Sequence, residues 1–317
     1  PTASLPADEV ERLFSALRPL REKGVGMIYV SHRLDEIFRI ADRVAVLRDG
    51  KMVGMRDIAH TNPEDLVSLI VGRKAREISR PEAQEGPEVL SVSGLSTENA
   101  GPVGFSVQRG EMLGLVGLRG AGHEEVGRAL YGLTASEGEV LLNGKRPNLD
   151  TPRSAMRSGI GFIAGDRVVE SIAPALSIRE NAFINPEATG RGLFAFMSTS
   201  AEEKQTSKLG KRVGLSPNDP TLAIEALSGG NQQKVVVGRW LDTNRQFLIA
   251  EDPTAGVDVE LRRQLWELVT ELNQQGVTVV LTTHYLEEAE QLCDRIAIIN
   301  HGELIANKPT RELVSMA

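Results

Sequence analysis

Apolar residues recur along this chain with two alternating periods, and the same alternation is written twice. Val10, Leu13, Phe14, Leu17 and Leu20 fall at helical spacing, as do Leu261, Leu265, Leu268, Val269 and Leu272, so each set predicts an amphipathic helix. Residues 27–30 and 277–281 are short apolar runs, which predict buried parallel strands. Short helices are predicted next, carrying Leu34, Ile37 and Phe38 in one place and Leu286, Ala289 and Leu292 in the other. Residues 44–47 and 296–299 predict further strands, closed by turns at Asp49-Gly50 and His301-Gly302. Strands alternating with helices imply an α/β fold with a doubly wound parallel sheet.

The two stretches are copies of one unit. Pro1-Thr2-Ala3 recurs as Pro253-Thr254-Ala255, and at the same offset Gly24-Val25 meets Gly276-Val277, His32 meets His284, Asp42-Arg43 meets Asp294-Arg295 and Gly50 meets Gly302. An ungapped match over about fifty positions keeps register through two loops, which chance similarity does not do. Only the second copy has a long stretch upstream of it. The expected organisation is therefore a C-terminal remnant of a first domain at 1–58, a linker at 59–86 rich in Glu, Arg and Pro, and a second domain at 87–317. A start at Pro1 reads as a cut end.

In the second domain the apolar strand 112–116 runs into Gly117, Leu118, Arg119, Gly120, Ala121, Gly122, His123 and Glu124, and then into a helical run through Val126, Ala129 and Leu130. Strand, glycine-rich turn, helix is the setting of a phosphate-binding P-loop. Glycines let backbone N–H groups surround phosphate oxygens, and the helix N-terminus adds partial positive charge. Two positions depart from that pattern. His123 stands where a P-loop has Lys, and Glu124 stands where it has Ser or Thr. Glu124 and Glu125 are read as complements of the helix dipole, since a carboxylate there competes with phosphate.

Further on, Leu227-Ser228-Gly229-Gly230-Asn231-Gln232-Gln233-Lys234 opens another helix, with Ser228 as the expected N-cap. This string resembles the signature of ATP-binding-cassette (ABC) ATPases, in the form found in ribose-, galactose- and xylose-type sugar importers. Those proteins carry two cassettes on one chain, in keeping with the repeat. The segment 247–254 resembles the Walker B strand and its exit, Gly256-Val257-Asp258 the D-loop, 161–167 the Q-loop region, and His284 and His32 the switch histidines.

The resemblance implies a P-loop NTPase fold of ABC type, a RecA-like parallel-sheet core with a helical subdomain at 171–240. It implies ATP and Mg2+ as cofactors, with Gly117 to Glu124, Ser228 to Gln232 and Asp258 binding nucleotide. Glu251 would hold the metal, and Asp252, His284 and His32 would act in hydrolysis. Asp252 is one methylene shorter than the general base usual there, which puts its reach in doubt. The segment 283–290 looks more like exporter ATPases, which raises a different history for the tail after Asp258.

Composition narrows the partners. Net charge is −7, so no nucleic-acid partner is expected. The single cysteine, Cys293, allows no internal disulfide and is placed in the core. No apolar stretch approaches the roughly 20 residues needed to span a bilayer. The expected setting is thus peripheral, on the cytoplasmic face of the membrane, in a cassette dimer bound to permease subunits and, through them, a sugar-binding protein. The expected function is an ATPase energising carbohydrate import. The alternatives are a degenerate nucleotide-binding cassette without catalysis, suggested by His123, and an exporter ATPase, suggested by the tail.

Overall fold

A computed structural model describes residues 7–31, 34–48, 51–62, 65–66, 69, 86–185, 187, 197–241, 243 and 245–315. The chain divides into two compact units, Pro1–Ile78 with Gly256–Gln264, and Ser79–Ala255 with Leu265–Ala317.

The first unit holds helix α1 (Ala7–Glu22), helix α2 (Leu34–Ile40) and the antiparallel hairpin of β1 (Arg43–Arg48) and β2 (Lys51–Asp57). Val10, Phe14, Ile37 and Val46 are buried, as the helical spacing requires. Arg39 lies over the Phe14 ring at 5.1 Å, and Arg21 pairs with Asp42 at 2.6 Å. The strand expected at 27–30 does not form. Residues 25–31 form neither helix nor strand, with Ile28 96% and Val30 78% exposed. The counterpart in the second copy explains why. There the strand is hydrogen-bonded to neighbours on both sides, and the first copy has no equivalents of those two strands in this chain. A parallel strand has no local partner, so its apolar residues alone do not order it. Most of the expected linker at 59–86 and His32 lie outside the described residues.

The second unit is built on a six-stranded sheet, β11-β10-β5-β9-β8-β7. Its strands are β5 (Met112–Val116), β7 (Ile160–Ile163), β8 (Phe247–Glu251), β9 (Thr278–Thr283), β10 (Arg295–Asn300) and β11 (Glu303–Pro309). All neighbours are parallel except β10 and β11. Every residue of β5, β8 and β9 is buried, which is why they read as unbroken apolar runs. A second, antiparallel sheet is ordered β4-β3-β6, from β3 (Glu88–Ser96), β4 (Val103–Gln108) and β6 (Glu137–Leu142). Val126, Ala129 and Leu130 of helix α3 (His123–Leu130) share one core with Leu115, Ile249 and Val280 of the large sheet and Val92 and Val140 of the small one. The valine, leucine and isoleucine side chains among them each contribute about 1.5–3 kcal/mol on burial.

The remaining helices are α4 (Pro152–Arg157), α5 (Ile178–Ala182), α6 (Thr199–Arg212), α7 (Gly229–Gly238), α8 (Val259–Gln274), α9 (Leu286–Leu292) and α10 (Thr310–Val314). Cys293 is wholly buried and Trp240 and Trp266 nearly so, in keeping with their reading as packing residues. Asp294 and Arg295 reach across the fold: Asp294 accepts from the Met112 N–H at 2.8 Å, and Arg295 donates to Glu111 at 2.7 Å.

Candidate nucleotide site

Strand order brings the chemistry together. In β5-β9-β8 the register pairs Val116 with Thr283 and Glu251 with Thr282. The turn after β5, His284 after β9 and Asp252 after β8 therefore leave the same sheet edge side by side. Ligands of parallel α/β sheets bind at such carboxyl ends.

The phosphate-loop turn has an exposed lip of Leu118, Arg119 and Gly120 and a buried base of Ala121, Gly122 and His123. Gly122 caps α3 at φ 100°, and a Cβ there would lie 2.7 Å from that of Ala100, so this position admits only glycine without strain. His123 is fully buried, and neither ring nitrogen has a hydrogen-bond partner. Burial pulls its imidazole below the ordinary value; Glu124 and Asp252 oppose that, and His284 reinforces it. A neutral, enclosed ring thus occupies the place of a cationic lysine. Glu125 is held below its usual range, first by the Thr97 hydroxyl at 2.7 Å, with Asn99 donating at 2.6 Å. It ties down the turn at 97–99.

Glu251 is the carboxylate expected to hold magnesium. Both its oxygens accept from Arg128, at 2.8 and 3.0 Å, and Arg128 also donates twice to Glu170 at 2.8 and 2.9 Å. Burial pushes the Glu251 carboxyl up while Arg128 opposes it. Arg128 itself is held firmly charged, by Glu170 first and Glu251 next. As placed, Glu251 is an ion-pair partner and not an open metal ligand. Among the described residues no group of three or more His, Cys, Asp or Glu side chains could hold a metal ion.

Asp252 adopts φ 36°, and its carboxylate faces the His284 ring, with Nδ1 at 3.1 and 3.2 Å from the two oxygens. A carboxylate only accepts, so Nδ1 carries the proton and Nε2 is the available nitrogen. His284 is 14% and Asp252 12% exposed at the side chain.

The signature turn is arranged differently. Ser228 sits at the N-cap of α7 but makes no side-chain cap bond; its Oγ instead accepts from Asn231 Nδ2 at 3.0 Å. Asn231 accepts from the Ser216 N–H at 3.2 Å. Gln232 donates to the carbonyls of Ile224 and Leu227 and accepts from Arg167 Nε at 3.2 Å. A Cβ on Gly229 would meet the Arg167 guanidinium. Gly230 is buried. Gln233 donates to the Pro253 carbonyl at 2.9 Å, which anchors this helix to the exit of β8. Asp258 belongs to the other compact unit, where its carboxylate accepts from the Leu261 N–H at 2.9 Å and caps α8.

Arg128 and Glu170 carry no signal in the sequence reading, and Arg167 figures there only within the segment 161–167. Arg128 meets Glu251 across 123 positions of chain, a separation with no periodic signal. The one clue is Glu251 itself, whose longer side chain reaches a partner that an aspartate would not.

Residues 100–255 match the protein family described as ABC transporter. The chain is 38% identical over 311 residues to the ribose import ATP-binding protein RbsA of Burkholderia mallei, covering 96% of this chain and 62% of that protein. It is 37% identical over 322 residues to RbsA of Lactococcus lactis, covering 99% of this chain and 65% of that one. The chain thus spans under two thirds of the length of these relatives. A crystal structure of an ATP-binding cassette of an ABC transporter in an ADP conformation superposes with a TM-score of 0.61 at 21% identity, covering 72% of this chain and 94% of that one. Residues 100–255 thus carry an ABC transporter domain, on the fold of such ATP-binding cassettes. The alignment with the Lactococcus lactis relative covers 99% of the chain and so includes residues after Asp258, whereas the family match ends at residue 255.

Proposed function

We propose that this chain is part of the ATP-binding, ATP-hydrolysing subunit of an importer for a carbohydrate. The observation that carries the reading is the shared sheet edge, where the turn Gly117 to Glu124, Asp252 and His284 meet. The kinship to ribose import ATP-binding proteins over nearly the whole chain supports the substrate class.

In this reading backbone N–H groups of the turn and the N-terminus of α3 take the nucleotide phosphates. The Asp252–His284 pair presents Nε2 as a base or acceptor beside the attacking water. Phosphoryl transfer of this kind rests on positioning and charge neutralisation. Magnesium accompanies nucleotide in the proposal but carries no step, since Glu251 is committed to Arg128. Ser228, Gly229 and Gly230 form a second anion-binding helix end, directed in a cassette dimer at the partner cassette's nucleotide, where His32 also belongs.

The partner is a membrane permease, and the setting is its cytoplasmic face. No helix among the described residues is long and apolar enough to cross a membrane. A groove of about 490 Å3, walled by Tyr131, Phe162, Ile184 and Trp240 with Glu170 and Arg239 among them, suits an amphipathic docking segment. Tyr131 and Phe162 stack there at 4.8 Å.

The test is ATP turnover and radiolabelled sugar uptake by the intact subunit with its permease. Asp252→Asn and His284→Ala are expected to cut turnover at this site, and uptake across a panel of sugars names the substrate. Turnover unchanged by both substitutions overturns the catalytic reading. A second reading has its own support: neutral, buried His123 favours a cassette that binds nucleotide weakly and completes a dimer without hydrolysing.

A further inference from the structure

The second unit buries one carboxylate that the hydrolytic reading does not use. Glu288, on α9, is 1% exposed. Its Oε1 accepts from the Thr254 hydroxyl at 2.7 Å and from the Trp266 indole N–H at 2.9 Å. The Thr283 hydroxyl lies beside the same carboxyl and interacts with it, and Thr283 Oγ1 in turn accepts from the Tyr285 N–H at 3.1 Å. Oε2 is enclosed without a well-formed hydrogen bond. A buried carboxylate is costly unless it is paired and hydrogen-bonded. A role in general packing gives no account of it.

The first copy of the repeat keeps the same group. Glu36 occupies the register position of Glu288, four residues after His32 as Glu288 is four after His284, and it is also fully buried. It accepts from Ser31, the counterpart of Thr283, at 2.9 Å. Its aromatic donor has moved: Phe14 replaces Trp266 and has no N–H, but Tyr29, at the position of Leu281, donates to Glu36 at 2.7 Å. Phe14 and Tyr29 meet edge to face at 6.1 Å. Two copies thus satisfy one carboxylate with the hydroxyl that precedes the histidine position and an aromatic donor taken from a different place in each.

Thr283 and Tyr285 flank His284 on either side, and Thr254 lies two residues after Asp252. The carboxyl therefore holds both backbone segments that bring His284 Nδ1 to Asp252. We propose that Glu288 is a positioning residue for the His284–Asp252 pair, and that Glu36 is its equivalent for the segment bearing His32. The proposal rests on the nucleotide-site reading for its purpose but not for its test.

The test uses the whole chain, labelled with 15N, and reads the histidine ring nitrogens and the tryptophan indole N–H signals without nucleotide. Wild type is expected to show His284 in the Nδ1–H form and a Trp266 indole shifted by its carboxylate bond. Glu288→Gln keeps an acceptor and a buried polar tip, so it should retain the Nδ1–H signature. Glu288→Ala and Thr283→Ala should move the His284 Nδ1 signal from the protonated range toward the midpoint of the protonated and bare ranges. Thr283→Ala serves if Glu288→Ala does not fold. If Thr283→Ala, or a folded Glu288→Ala, leaves the His284 signature unchanged, the proposal is overturned. A separate Mg-ATP titration of wild type distinguishes the two readings. No binding with the expected tautomer shifts removes the nucleotide reading and leaves the positioning role standing.

Discussion

Two glycine-rich turns in this molecule open helices, and they differ in what they do with the helix dipole. At α3 the first turn carries Glu124 and Glu125, and its only basic ring, His123, is buried and kept neutral. At α7 the first turn has no acidic residue, and the Arg167 guanidinium stands beside Gly229. The acidic side chains of the first turn weaken the positive end of its helix, whereas the second turn leaves its positive end open. The same backbone device thus gives opposite electrostatics, and the difference lies in two or three side chains.

Arg128→Met should be costly, because it leaves Glu251 buried beside Glu170 without a counter-charge; a loss of about 3 kcal/mol in urea unfolding is expected. Gly122→Ala should follow at about 2 kcal/mol, from the left-handed backbone and the contact with Ala100.

The pH dependence comes next. His123 has a folded-state value below its ordinary 6.5, so the unfolded chain takes up its proton first. That stability is present above pH 6.5 and is lost as pH falls through the folded value. His123→Leu should flatten the acid side of a melting-temperature profile between pH 7 and 5. An unchanged profile would show that the ring is not enclosed as described.

The smallest effects belong to the signature turn. Ser228→Ala loses no cap bond and Arg167→Met loses a neutral partner, so each should change stability by about 0.5 kcal/mol or less. A loss at Ser228 as large as that at Gly122 would erase the contrast between the two turns.

Much of this was legible in sequence because it is locally written. The bounds of α1 and α2 map onto those of α8 and α9, and the hairpins β1-β2 and β10-β11 break register at matching places, after Val46 and after Ile298. Helices and hairpins carry their hydrogen-bond partners close in sequence. The strand at 27–30 does not, and it failed where β9 succeeded between β5 and β8. The glycine-rich turns and the meeting of His284 with Asp252 follow from motif and strand order. The capture of Glu251 by Arg128, the enclosure of His123 and the loss of the Ser228 cap bond depend on side-chain packing across the fold, which no spacing records.

On the proposed reading, the α3 turn is a phosphate site weakened by its own side chains. Calorimetric titration of the chain with Mg-ATP, beside a His123→Lys, Glu124→Thr double variant, tests it most directly. The account predicts that the double variant binds at least about tenfold tighter, roughly 1.4 kcal/mol. Equal affinity for the two proteins, with wild type in the micromolar range, would contradict it.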